Sequence, residues 1–338
     1  MENSGNLHAY DEDQFLTRDK VVVITGGSSG IGRAAAHEFA RRGYRVVVAA
    51  RNKPSLDEVV EECRLFGSEA LAVQVDVTKE DDVNQLVIIA KEKFGRIDTW
   101  VNNASVTLYG RFEEVPTADI RRVVETNLFG YIYGARAVIP HFKEQGSGVL
   151  INVSSIVAIM GQPFTGAYVA TKAAEKALSE SLSQELANEG NIHVCAVMPA
   201  FVDTPLFQHG ANYMGKEAIP PKPVHPPELV AEAIVDISET PRKEVCVGSP
   251  GKMMYVASKI APAKLFDKMV RRNIERNHFS ENLIGATPGN LYDHALDQVS
   301  GGWREQLYEE GSDKKIDFGM MLAGACLALL AVWGLRKI

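Results

Sequence analysis

Cysteine is scarce in this chain of 338 residues. Only Cys63, Cys195, Cys246 and Cys326 occur, with no CxxC spacing and no histidine cluster beside them. That argues against a metal centre or a disulfide framework and fits a reducing compartment. Basic charge is also short. Its 36 Lys and Arg against 43 Asp and Glu give a net charge of −7, the wrong sign for a phosphate backbone, so no nucleic-acid partner is expected. The opening stretch, MENSGNLHAYDEDQF, has neither a basic n-region nor an apolar core. It is not a secretory signal, and residues 1–17 are expected to be a flexible segment. No internal repeat is visible, which argues against a solenoid or a propeller.

Alternation is what the chain does have. Short apolar, β-branched runs (KVVVIT, YRVVVAA, EALAVQVDV, DTWVNNA, GVLINVSS, IHVCAVMP and EVCVG) are separated by helical stretches, several ending at a stop glycine. Strands that are apolar throughout and alternate with helices make a parallel sheet covered on both faces. The expected fold class is α/β, a doubly wound Rossmann fold with a seven-stranded parallel sheet over residues 18–250. Ligands of such sheets bind beyond the carboxyl ends of the strands.

TGGSSGIG, residues 25–32, joins the first strand to the first helix. Gly26, Gly30 and Gly32 allow a tight turn and close approach of backbone to a pyrophosphate, and the helix start adds N–H donors. Ser28, Ser29 and Ile31 belong to the same turn, so a dinucleotide site is expected here. The end of the second strand lacks the carboxylate that would take a ribose 2′-hydroxyl. It reads Ala49, Ala50, Arg51 and Asn52. An arginine at that place favours a 2′-phosphate, hence NADP(H), with NAD(H) as the alternative.

GAYVATKAA, residues 166–174, sets Tyr168 and Lys172 one helical turn apart. Alone, such a pair is often packing with a snorkelling cation. Here Ser155 stands thirteen residues earlier, at the end of the fifth strand, and Asn127 lies in ETNLFG. A ketone that accepts hydride needs a proton at oxygen. A cation beside a phenol, whose ordinary pKa is about 10, favours phenolate and draws that value down.

From about residue 18 to 250 the chain resembles the short-chain dehydrogenase/reductase family in its classical subgroup. The resemblance rests on TGGSSGIG, NNAS (residues 102–105), Asn127, Ser155, Tyr168-x-x-x-Lys172 and the Pro199 turn, all in family order. It implies an oxidoreductase acting on CH–OH and C=O groups, with Asn127, Ser155, Tyr168 and Lys172 as catalytic residues. Asn127 would support a water near the lysine, and Ser155 would bond the substrate oxygen. Tyr168 and Lys172 also count towards the cofactor site. The resemblance further implies Asp76 and Val77 near the adenine, Asn103 and Ala104 in the cofactor wall, and Pro199, Val202 and Thr204 at the nicotinamide. Ala200 and Ser105 depart from the family's usual glycines, which touches cofactor geometry rather than the reacting groups. The same motif hosts epimerases and dehydratases, and an idle cofactor-binding scaffold or redox sensor is the reading from another class. The family often pairs through its long helices, so a homodimer is implied as one assembly.

Residues 203–227 break the rhythm, with five prolines from Pro220 to Pro227. A loop of this length reads as a lid. Its Leu206, Phe207, Tyr213, Met214 and Ile219 suggest a lipophilic carbonyl or alcohol substrate. Residues 251–315 read as a C-terminal extension. Within residues 316–338, Phe318 to Leu335 are 18 uncharged, mostly apolar residues flanked by Lys314, Lys315, Arg336 and Lys337. A helix of that length is about 27 Å long, near a hydrocarbon core. A single-pass membrane anchor with the catalytic domain in the cytosol is expected.

Overall fold

The computed structural model describes residues 17, 19–248, 262–293 and 298–309. The expected flexible segment, apart from Thr17, and the whole apolar tail lie outside them. Among the described residues, no helix is long and apolar enough to cross a membrane.

The elements run in chain order as β1 (Val21–Thr25), α1 (Gly30–Arg41), β2 (Arg45–Ala50), α2 (Lys53–Leu65), β3 (Ala70–Gln74), α3 (Glu80–Phe94), β4 (Thr99–Asn102) and β5 (Leu108–Tyr109). Then come α4 (Thr117–Val124), a π-helical turn (Glu125–Phe129), α5 (Gly130–Gln145), β6 (Ser147–Val153) and α6 (Gly166–Glu185). β7 (Asn191–Pro199), α7 (Leu206–His209), β8 (Ala211–Asn212), β9 (Lys216–Ala218), α8 (Pro227–Glu239) and β10 (Glu244–Val247) follow. Last are α9 (Ala263–Asn277), β11 (Phe279–Leu283) and α10 (Trp303–Glu309).

Seven strands form one sheet in the order β10-β7-β6-β4-β1-β2-β3, and every pair in it is parallel. The expected fold is therefore present. Successive side chains of a strand point to opposite faces. In β1, Val22 and Ile24 join one core with Phe39 of α1, Leu56 of α2 and Ile234 of α8. Val21 and Val23 join the other, with Leu86 of α3, Val138 and Phe142 of α5, and Trp100. Each fully buried side chain of this kind contributes about 1.5–3 kcal/mol, which is why both faces read as apolar.

Two regions differ from the sequence reading. The helical stretch read between DTWVNNA and GVLINVSS is interrupted by the π turn, which carries Asn127. Residues 203–227, read as one loop, hold the short elements α7, β8 and β9. β8 pairs with β5, and β9 runs antiparallel to β11. Tyr109, Ala218, Val270, Ile274 and Phe279 bury together there, with Phe164, Phe207, Met214 and Phe266 against them.

His278 is buried among these aromatic side chains, 5.4 Å from Tyr109 and 5.8 Å from Phe207 between ring centroids. Burial pushes its pKa down to about 4, against a pull upward from the Ile219 carbonyl. A depressed folded-state value stabilises the fold above the unfolded pKa of about 6.5 and stops doing so as pH falls towards 4. Mild acid is thus expected to lower the melting temperature of the native chain more than that of His278→Phe. Parallel losses over the same pH range would contradict this.

Candidate active site

The carboxyl ends of β1, β2, β3, β4 and β6 open into one cleft beside the glycine turn, as the sheet topology dictates. Gly26, Ser28, Ser29, Gly30, Ile31, Arg51, Asp76, Val77, Asn103, Ala104, Tyr168, Lys172 and Thr204 all line it. Gly32, Asn127, Ser155, Pro199 and Val202 stand behind this lining or beside it.

The turn is built for close approach. A Cβ at Gly32 would lie 2.1 Å from the Gly26 carbonyl oxygen, and one at Gly26, whose φ is +66°, would lie 2.7 Å from the Ala104 Cα. Neither space admits a side chain. Asn103 braces the turn, its Nδ2 donating to the Thr25 carbonyl at 3.1 Å and to that of Gly26 at 3.0 Å. Asn102 fixes the neighbouring strand end by donating to Asn152 Oδ1 at 2.9 Å. A cradle of glycine backbone at a helix start fits a dinucleotide pyrophosphate.

Asp76 follows β3 and lines the cleft. Burial pushes its carboxyl up, but hydrogen bonds from Thr78 and the nearby Arg122 guanidinium outweigh that and hold it below its usual value. Thr78 donates from its hydroxyl at 2.8 Å, and Arg122 from Nη2 at 3.3 Å.

Arg51 is at the rim, and its guanidinium already has acceptors. It donates to the carbonyls of Asn290 at 2.8 Å, Asp293 at 3.0 Å, and Leu291 and Tyr292 at 3.2 Å each. Arg122 donates to the same Leu291 carbonyl at 2.9 Å. The Gly30 N–H donates to the Gln298 carbonyl at 2.9 Å. Asp203 then takes Ser300 Oγ at 2.9 Å and the N–H groups of Trp303 and Arg304 at 2.9 and 3.2 Å. The C-terminal extension thus borders the cleft from the Arg51 rim to the glycine turn. Sequence reasoning missed Asn290, Arg122 and Gln298, since GATPGNLYDH signals only turns and gives no hint of a partner some 240 residues away.

The residues expected to react come together. Ser155, whose Oγ accepts from the Val157 N–H at 3.4 Å, stands near enough to the Tyr168 phenol to pull its pKa down. Lys172 Nζ stands 5.5 Å from the centre of the Tyr168 ring. Asn127 faces the same helix, its Nδ2 donating to Thr171 Oγ1 at 3.1 Å and to the Val106 carbonyl at 3.0 Å, while its Oδ1 accepts from the Val106 N–H at 2.9 Å. The π turn turns this amide inward, a common use of such turns at functional sites. Val202 is buried and bridges His225.

Burial and then the Glu175 carboxyl push Tyr168 well above its ordinary value. Lys172 has partners of its own: its Nζ donates to Glu175 Oε2 at 3.1 Å and to the Val153 carbonyl at 3.0 Å. A neutral phenol can donate a proton to an oxygen bound beside it, which is what carbonyl reduction asks of it.

Comparison with known proteins agrees with this geometry. The family described as short chain dehydrogenase matches residues 20–212. The uncharacterized oxidoreductase YxnA of Bacillus subtilis is 34% identical over 329 residues, which cover 95% of this chain and 91% of that protein. Among solved structures, an alcohol dehydrogenase from the archaeon Thermococcus sibiricus complexed with 5-hydroxy-NADP aligns with a TM-score of 0.61 at 29% identity, covering 68% of this chain and 98% of that one. A 3-ketoacyl-(acyl-carrier-protein) reductase from Brucella melitensis complexed with NADH aligns with a TM-score of 0.61 at 34% identity, covering 68% and 96%. The glycine cradle and the serine, tyrosine and lysine at its side therefore belong to a chain of the short-chain dehydrogenase/reductase family, an oxidoreductase of CH–OH and C=O groups that uses a nicotinamide dinucleotide.

Proposed function

We propose that the chain is an NADP(H)-dependent reductase of lipophilic carbonyl compounds, with Tyr168 as general acid in reduction and general base in the reverse. The observation that carries this is that Tyr168 and Lys172 share one wall of the glycine-turn cleft, with Ser155 near the phenol. The bound dinucleotide supplies the hydride. Ser155 holds the substrate oxygen, Tyr168 gives it a proton, and Lys172 replenishes that proton through the Asn127 side of the helix. An idle scaffold has no need of all three groups. Turnover of NADPH with a panel of aliphatic, aromatic and steroid ketones tests the reading, and no turnover with any of them counts against it.

NADP(H) is favoured because Arg51 is at the rim with no carboxylate at its strand end. A 2′-phosphate offers the guanidinium a full negative charge and oxygens for bidentate bonding where the carbonyls of residues 290–293 offer only dipoles, and so competes for it. The lipophilic substrate is supported by the aromatic cluster of β5, β9, α9 and β11, with Phe164 and Phe207 against it.

The apolar tail is proposed as the membrane anchor on its sequence alone. A chain ending at Asp313 is expected to become soluble and keep its activity. The full chain is expected to stay with membranes through a carbonate wash. Full chain in the soluble fraction without detergent would remove the anchor from the account.

A further inference from the structure

Four buried side-chain polar atoms have no hydrogen-bond partner among the described residues. Two of them, Ser105 Oγ and Asn290 Oδ1, belong to residues that line the glycine-turn cleft. A buried acceptor without a donor costs free energy, so such an atom in a cleft asks for a group that the chain itself does not supply. Ser105 ends the NNAS stretch, inside the span that the short-chain dehydrogenase family matches. Asn290 lies well beyond that span, which ends at residue 212, in the C-terminal extension. It is a cleft residue that the family's own motifs do not provide.

The segment that carries Asn290 is docked along its length. Thr287 and Asn212 exchange backbone hydrogen bonds at 3.0 and 2.8 Å, and the Asn290 N–H donates to the His209 carbonyl at 2.9 Å. Gly289 lets the two chain segments meet so closely. Its φ is +53°, and a Cβ there would lie 2.3 Å from that same carbonyl oxygen. Leu291 is fully buried in one core with Leu108, Val123, Ala167 and Ala211. Tyr292 donates its hydroxyl to Asp119 Oδ1 at 2.8 Å, and Arg122 holds the Leu291 carbonyl. On the cleft side, Arg51 Nη2 reaches the Asn290 carbonyl at 2.8 Å. All these bonds fix the backbone at Asn290 and leave its side-chain oxygen for something else.

The neighbouring Arg51, at the end of the second strand, marks the adenosine-ribose end of a dinucleotide cleft. The atom left over at Asn290 is an acceptor, so its partner must bring a proton. A 2′-phosphate is largely dianionic at neutral pH and has none to offer. The ribose hydroxyl beside it, on the 3′-carbon, has one, and NADP and NAD both carry it. We propose that Asn290 is a binding residue for the adenosine ribose: its Oδ1 accepts the 3′-hydroxyl of the dinucleotide while Arg51 faces the 2′-position, so the C-terminal extension supplies one wall of the cofactor site. This rests on the cleft being the dinucleotide site and is independent of which dinucleotide it prefers. Asn290→Leu keeps the size of the side chain and removes the acceptor.

Calorimetric titration of the native chain and N290L with NADP+ and 3′-deoxy-NADP+, and again with NAD+ and 3′-deoxy-NAD+, tests this without substrate or turnover. The native chain is expected to bind the hydroxylated member of a pair about fivefold more tightly, the scale of one hydrogen bond. N290L is expected to lose that factor on the hydroxylated member and to bind both members alike. A structural role alone would weaken both members equally and leave the preference in place. A preference that survives in N290L overturns the proposal, and so does N290L binding as tightly as the native chain or more so. A native chain that binds the two members of each pair alike also overturns it, which needs no variant and stands even if N290L fails to fold. The expected pattern in the NAD+ pair, with NADP+ bound more weakly than NAD+, would leave Asn290 as proposed and remove the NADP(H) reading.

Discussion

Tyr168→Phe is expected to lower turnover by about a hundredfold or more while dinucleotide binding stays as it is. That is the usual scale for losing a general acid. The substitution removes one oxygen and keeps the ring, so the packing against Lys172, 5.5 Å from the ring centre, survives. What goes is the hydroxyl, the one group of this ring that can give a proton. The effect should fall on kcat rather than KM, since a proton given in the transition state is not a ground-state contact. Turnover near that of the native chain, on any ketone it accepts, would remove Tyr168 from the chemistry.

Arg51→Asp is expected to lower the ratio of kcat/KM for NADPH to that for NADH by about tenfold or more. A charge-assisted hydrogen bond contributes about 1.5–3 kcal/mol, and the new carboxylate adds repulsion of the 2′-phosphate. The substitution also removes the four hydrogen bonds to the carbonyls of residues 290–293. Ala50→Asp separates the two effects, because it brings the carboxylate to the same strand end and leaves those bonds in place. A fall in both variants assigns the effect to the phosphate. A fall in R51D alone assigns it to the extension. A native chain that already prefers NADH contradicts the NADP(H) reading at its root.

The sheet was legible because its information is local. Val21 to Thr25 are buried on both faces, so they read as an unbroken β-branched run, and the turn that follows needs glycine for steric reasons that hold in any chain. Ser155, Tyr168 and Lys172 were legible as a spaced set for the same reason. The π turn around Asn127 was not, since ETNLF has no breaker and one extra residue per turn leaves no mark on periodicity. Nor was the order in residues 203–227, which comes from pairing with Leu108–Tyr109 and Phe279–Leu283, far away in sequence. Nor was the burial of Glu175, since AAEKALSE carries its charge beside Lys172 and Lys176 and only the packing of distant segments shows that it lies inside.

The central claim is that this cleft passes a hydride between a nicotinamide and a carbonyl carbon. NADPH carrying deuterium on the transferring face of its nicotinamide tests it directly, in single turnovers with a ketone from the panel and mass spectrometry of the product. The account predicts an alcohol with one deuterium at the former carbonyl carbon in the native chain, formed at least about a hundredfold more slowly by Tyr168→Phe. Deuterium that stays on the cofactor while the substrate is epimerised or dehydrated, or a substrate that returns unchanged, would contradict it.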